Sequence, residues 1–112
     1  MEALGVLKMQ GCGNSFVVVN DSERRRSDWQ ELSRRLCSPA FGLGSDGLMV
    51  LRPSGEADFE VLMYNPDGSL MGMCGNGIRC VARFAELSGL LPAGRRELRF
   101  RVEGREICCR LQ

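Results

Sequence analysis

Met73-Cys-Gly-Asn-Gly-Ile-Arg-Cys-Val-Ala-Arg-Phe-Ala-Glu-Leu-Ser88 carries the principal helix of this chain. Cys74-Gly-Asn-Gly77 opens it and Gly89 stops it, because glycine reaches the left-handed backbone of a helix end without a steric penalty. Ile78, Val81, Ala82 and Ala85 share one face, and Cys80, Phe84 and Leu87 widen it. Only Arg79, Arg83 and Glu86 form a clear polar edge. So broad an apolar surface predicts a helix wrapped by sheet on most sides.

The flanks supply the sheet. Asn65-Pro-Asp-Gly68 reads as a turn, with Pro presetting the backbone at its second position and Gly68 relieving strain at its end. A short extended piece, 69–73, links that turn to the helix. Upstream, 58–64 and the apolar run Leu48-Met-Val-Leu51 read as strands separated by a polar turn at Pro53-Ser-Gly55. Ser27 and Gln30 fit a capping box for a helix over 28–37, in which Trp29, Leu32, Leu36 and Cys37 recur at helical spacing and Pro39 ends the run.

Strands 4–9 and 16–20 flank a Gly-Cys-Gly-Asn turn and predict a hairpin. At the other end Leu98, Phe100 and Val102 alternate with polar residues, Glu103-Gly104 turns, and Ile107, Cys109 and Leu111 alternate on the return. Cys108 and Cys109 are neighbours in a strand and face opposite sides, one to the core and one to the surface. The class is α+β, with mainly antiparallel strands around one principal helix.

The chain is 112 residues long, a single domain over 1–112. No apolar run approaches a membrane span, and the start lacks the basic and apolar stretches of a signal peptide. The expected location is the cytoplasm, where the six cysteines stay reduced. Lys and Arg number 15 against 14 Asp and Glu, a balance that argues against nucleic acid as partner. There is no histidine and no Cys-x-x-Cys pair, so no metal site is expected. Proton transfer falls to Asp, Glu, Lys, Tyr or Cys.

Cys74 is the candidate. The first turn of a helix offers unpaired N–H groups and positive potential, and glycine lets a carboxylate approach them closely. The same field lowers a thiol's pKa, so that Cys74 can act as a base near neutral pH. A buried structural cysteine beside a helix end fits the local sequence equally well.

Four motifs in order carry a resemblance. Lys8-Met-Gln-Gly-Cys-Gly-Asn-Ser-Phe16, Phe41-Gly-Leu-Gly-Ser-Asp-Gly-Leu48, Tyr64-Asn-Pro-Asp-Gly-Ser69 and Met73-Cys-Gly-Asn-Gly-Ile-Arg-Cys80 are similar to the signature segments of diaminopimelate epimerases. The resemblance implies two pseudo-symmetric domains, each a mixed, mainly antiparallel sheet curled around a central helix, with the site in the cleft between them. It implies an isomerase of lysine and cell-wall biosynthesis that interconverts LL- and meso-diaminopimelate without pyridoxal phosphate, other cofactor or metal. One cysteine from each domain takes part, a thiolate removing the α-proton and an opposing thiol returning one. Cys74 takes the place of the first-domain catalytic cysteine. Gly75 and Asn76 match positions that hold the α-carboxylate and amine, and Asn14 and Asn65 match two further substrate contacts.

The sequence departs from that pattern in places. The motif's usual histidine is Gln10, its usual aspartate is Ser15, and Cys12 stands for an apolar residue. A C-terminal domain with its own cysteine is absent, and Cys80, about two turns along the same helix, cannot oppose Cys74. The expected partners are therefore diaminopimelate and either the missing domain or a second copy of the chain, with no nucleic acid or membrane. A racemase of another amino acid, or a non-catalytic amino-acid-binding remnant, are the other readings.

Overall fold

Three hairpins joined by two helices build the molecule. The computed structural model describes residues 6–11, 14–21, 28–39, 44–55, 57–72, 75–90, 94 and 96–110. Strands β1 (Val6–Gly11) and β2 (Asn14–Asn20) form the first hairpin, β3 (Gly47–Pro53) and β4 (Phe59–Tyr64) the second, and β5 (Glu97–Val102) and β6 (Arg105–Arg110) the third. Helix α1 (Trp29–Cys37) joins the first to the second and α2 (Gly75–Leu87) the second to the third. All six strands lie in one sheet in the order β1-β2-β3-β4-β5-β6. The hairpins pair internally antiparallel, while β2–β3 and β4–β5 are parallel. The sheet is mixed and mainly antiparallel, as the alternation and turn chemistry predict.

This topology puts the two helices on opposite faces. β3 and β4 run antiparallel, so the two parallel crossovers start from strands of opposite direction while advancing the same way across the sheet. Crossovers of one hand must then fall on opposite sides. Alternation along the central strands matches. Phe16, Val18, Met49, Leu51, Val61 and Met63 pack with Ile78, Val81, Ala82 and Ala85 of α2. Val17, Val19, Leu48 and Val50 pack with Trp29 and Cys37 of α1. β2 and β3 are thus buried on both faces, which is why Phe16–Val19 and Leu48–Leu51 read as unbroken apolar runs. Helix α2 packs against both edge strands, β1 and β6, as well as β2 and β3. The sheet curls around it, and Leu98, Phe100 and Val102 close the same core from the third hairpin.

Helix α2 ends as its sequence predicts. Gly89 has φ +69°, its N–H bonds the Glu86 carbonyl at 3.2 Å, and Leu90 N–H bonds the Ala85 carbonyl at 3.0 Å, the paired bonds of a Schellman cap. Two expectations need correction. Leu87 does not widen the buried face, being 59% exposed; it stands one turn after Arg83 and beside Glu86 on the polar edge, while Phe84 and Ala85 of the same turn are buried. Helix α1 begins one residue later than a cap at Ser27 requires. Its N-cap is Asp28, which makes no side-chain capping bond, and its first backbone bond runs from Leu32 N–H to the Asp28 carbonyl at 3.0 Å. Ser27 lies outside the described residues. At the far end Ser38 is extended (ψ 128°), as a residue before proline should be.

Candidate functional site

The termini of six elements converge at one end of the sheet. β1 finishes there at Gly11, opposite Asn14 at the start of β2. β3 begins there at Gly47, in register with Phe16, and β4 finishes there at Tyr64, in register with Leu48. Helix α2 leaves from the end of β4 and returns to the start of β5, a strand parallel to β4, so its N-terminus lies at this end. Helix α1 delivers its C-terminus here, where the Ser45 N–H bonds the Cys37 carbonyl at 3.2 Å.

Short polar links hold this end together. Ser15 N–H donates to Asp46 Oδ2 at 2.8 Å, and Asp46 N–H donates to the Ser15 carbonyl at 2.8 Å. Asp46 therefore clamps the first turns of β2 and β3 to each other. The Ser45 hydroxyl donates to the Gly47 carbonyl at 3.1 Å, and its oxygen lies within hydrogen-bond distance of Cys37 Sγ (3.2 Å). Burial pushes the Cys37 thiol above its ordinary range, the Ser45 hydrogen bond pulls the other way, and the nearby Asp46 carboxylate pushes it further up. Cys37 is a neutral core thiol. Gly47 is where backbones crowd. A Cβ there would lie 3.1 Å from the Tyr64 carbonyl oxygen and 2.8 Å from Met71 Cε.

The Asn65–Ser69 turn closes the site end of β4. Gly68 N–H bonds the Asn65 carbonyl at 3.0 Å, and Asn65 N–H bonds the Ser69 carbonyl at 2.8 Å. Asn65 Nδ2 donates to Ser69 Oγ at 3.0 Å, and Ser69 Oγ donates to Asp67 Oδ1 at 2.6 Å. Hydrogen bonds from the Ser69 hydroxyl and backbone hold the Asp67 carboxyl below the usual carboxylate range. Helix α1 buttresses the turn from behind, with Arg34 Nε donating to the Asp67 carbonyl at 2.7 Å.

Of the residues singled out from sequence, Asn14 and Asn65 stand at the same end of the sheet, and Gly75 begins α2 at that end. Gly75 is exposed, and a Cβ on it would meet no described atom within 4 Å. The first turn of α2 carries no acidic residue to offset the helix potential. Asn76 lies in that first turn. Cys74 and Cys12 fall outside the described residues. Gln10 pairs with Ser15 in the first hairpin. Motif reading passed over Asp46, Asp67 and Ser69, although all three stand inside the quoted motifs.

Comparison with known proteins follows the same residues. The family model described as diaminopimelate epimerase matches residues 6–109. The chain belongs to the diaminopimelate epimerase family. Diaminopimelate epimerase of Heliobacterium modesticaldum is 45% identical over 95 residues, covering 82% of this chain and 34% of that protein. The Moorella thermoacetica protein of the same name is 48% identical over 85 residues, covering 75% and 30%. The chain thus spans about a third of the length of these family members. Among solved structures, a Bacillus anthracis phenazine biosynthesis protein of the PhzF family superposes with a TM-score of 0.71 at 16% identity, covering 96% of this chain and 33% of that one. Methylitaconate-delta-isomerase superposes with a TM-score of 0.68 at 18% identity, covering 90% and 32%. These distant likenesses establish that the fold is shared with proteins outside the diaminopimelate epimerase family.

Proposed function

We propose that this chain forms the N-terminal domain, and hence one half of the active site, of a diaminopimelate epimerase. The observation that carries the proposal is the family match over 6–109, together with Gly75, the residue after Cys74 in sequence, opening α2 at the end of the sheet that also bears Asn14 and Asn65.

The chemistry follows from that placement. The N-terminus of α2 provides positive potential for a substrate carboxylate. Gly75 supports this assignment, because its position is open and lacks a Cβ. Asn76 in the same turn, with Asn14 and Asn65 from the strand ends, supplies amides for the amine and the rest of the substrate. Cys74 as thiolate takes the α-proton. The electron pair left on Cα is stabilised next to the docked carboxylate, and a thiol from the other half returns a proton to the opposite face. One proton leaves and one arrives, so the step balances with a thiolate and a thiol alone. The second thiol comes from a C-terminal domain. The reaction belongs to lysine and cell-wall biosynthesis in the cytoplasm.

The test is NMR of LL-diaminopimelate in D2O with the purified chain, a C-terminal half from a family member supplied in trans, and the same pair carrying Cys74→Ala. The expected outcome is deuterium at Cα and appearance of the meso form, both lost in Cys74→Ala. Exchange that persists in Cys74→Ala would remove Cys74 from the mechanism.

A further inference from the structure

The turn that carries Asn65 contains a relay whose direction is set by hydrogen count. A serine hydroxyl has one hydrogen. The Ser69 hydrogen goes to Asp67 Oδ1 at 2.6 Å, so towards Asn65 the same oxygen can only accept. It accepts from Asn65 Nδ2 at 3.0 Å. An asparagine amide is otherwise free to present either end, but here Nδ2 is held on Ser69 and Oδ1 is turned away from it. Asp67 is fixed in turn. Its Oδ1 also accepts from Ser69 N–H at 2.9 Å, and its carbonyl accepts from Arg34 Nε at 2.7 Å. Gly68 presses the turn onto α1 so closely that a Cβ would lie 2.7 Å from the Gln30 carbonyl oxygen.

We infer that Ser69 and Asp67, braced by Arg34, are positioning residues that lock the Asn65 amide with its Oδ1 towards the ligand, making Asn65 a receptor for an ammonium group rather than for a carboxylate. The inference rests on the proposed function for the identity of the ligand. The geometry supplies the polarity, since a carbonyl oxygen accepts from N–H and repels a carboxylate. Recognition at Asn65 then selects amino-acid substrates through their amine, complementing the anion-binding helix end of α2. Without Ser69 the amide can turn over and must be ordered again by each ligand.

The experiment uses the 15N-labelled full chain together with the unlabelled C-terminal half of a family member, titrated with meso-diaminopimelate and with pimelate, which keeps both carboxylates and lacks both amines. Binding is read at the Asn65 side-chain amide and across the backbone spectrum, in wild type, Ser69→Ala and Ser69→Thr. Ser69 is exposed, so neither variant should disturb the fold. The expected result is a wild-type preference for diaminopimelate that shrinks roughly three- to tenfold in Ser69→Ala, the scale of re-ordering one polar side chain, and returns in Ser69→Thr. If Ser69→Ala weakens both ligands equally, the change is mere loosening and the positioning role is overturned. If it keeps the full wild-type preference while Asn65 still responds, the relay is irrelevant and the proposed function stands. If wild type responds to neither ligand, the reading of the site fails and this inference fails with it.

Discussion

At the scale of single residues, two glycines separate backbone strain from steric contact. Both Gly68 (φ +93°) and Gly89 (φ +69°) occupy conformations that L-residues avoid. A Cβ on Gly89 would meet nothing within 4 Å, whereas on Gly68 it would meet Gln30 O at 2.7 Å and Arg34 Nε at 2.9 Å. Gly89→Ala should therefore cost only the left-handed penalty, about 1–2 kcal/mol. Gly68→Ala adds displacement of α1 from the turn and should cost roughly 2–4 kcal/mol, the range for strain combined with a forced backbone shift. Urea unfolding of both variants checks this, and equal losses would show that the turn is not pressed onto α1. The sequence announced Gly68 as a turn residue, because Asn-Pro-Asp-Gly has a local mechanism. It could not announce the close approach, since Gln30 and Arg34 come from a helix more than thirty residues away. The same separation hides the Ser15–Asp46 clamp and the bracing of Asp67 by Arg34. Motif reading therefore named Asn14 and Asn65 as candidates, whereas the Asp46 and Arg34 contacts to the motifs around them emerged only in three dimensions.

At the scale of elements, legibility followed period. Strict alternation gave β5 and β6 at once, with Leu98, Phe100 and Val102 buried, Cys109 packed against the core and Cys108 exposed. Helical spacing gave α2, but the width of its buried face is set by the sheet packed on it, and Leu87, one turn after the exposed Arg83, falls outside that width. Ser33, fully buried in α1, breaks the apolar pattern because its hydroxyl donates to the Gln30 carbonyl at 2.8 Å. The β5–β6 turn offers a prediction. Glu103 (φ +49°) and Gly104 (φ +79°) both take positive φ, as a two-residue type I′ hairpin demands. Glutamate is poorly suited to the first of these positions, and asparagine is among the best. Glu103→Asn should stabilise the protein by about 0.5–1 kcal/mol and raise the melting temperature by roughly 3–6 °C. A melting temperature unchanged or lower would mean that this hairpin does not take the two-residue turn.

At the scale of the molecule, the proposed mechanism requires a second thiol. Each helix closes its own core against one face of the sheet, and Cys80 and Cys37 are buried one in each, out of reach of a ligand. A one-thiol half can exchange a proton on one face, whereas inversion needs a second acid on the other. Two assemblies satisfy that need, a distinct C-terminal half or a second copy of this chain about a two-fold axis, and they differ in stoichiometry. With a distinct half, each functional site holds one Cys74, so mixing wild type with Cys74→Ala lowers the rate in proportion to the wild-type fraction. With two copies, each site holds two, and an equal mixture keeps only about a quarter of the rate if subunits pair at random. The proposal made above predicts a linear dependence, together with no inversion by the chain alone at any concentration. The decisive series holds total chain constant, varies the wild-type fraction, and follows meso-diaminopimelate by NMR in the presence and absence of the C-terminal half. Inversion by the chain alone with a quadratic dependence would replace the two-domain assignment with a homodimeric site. Inversion only with the added half, linear in wild type, would fix one Cys74 per active centre.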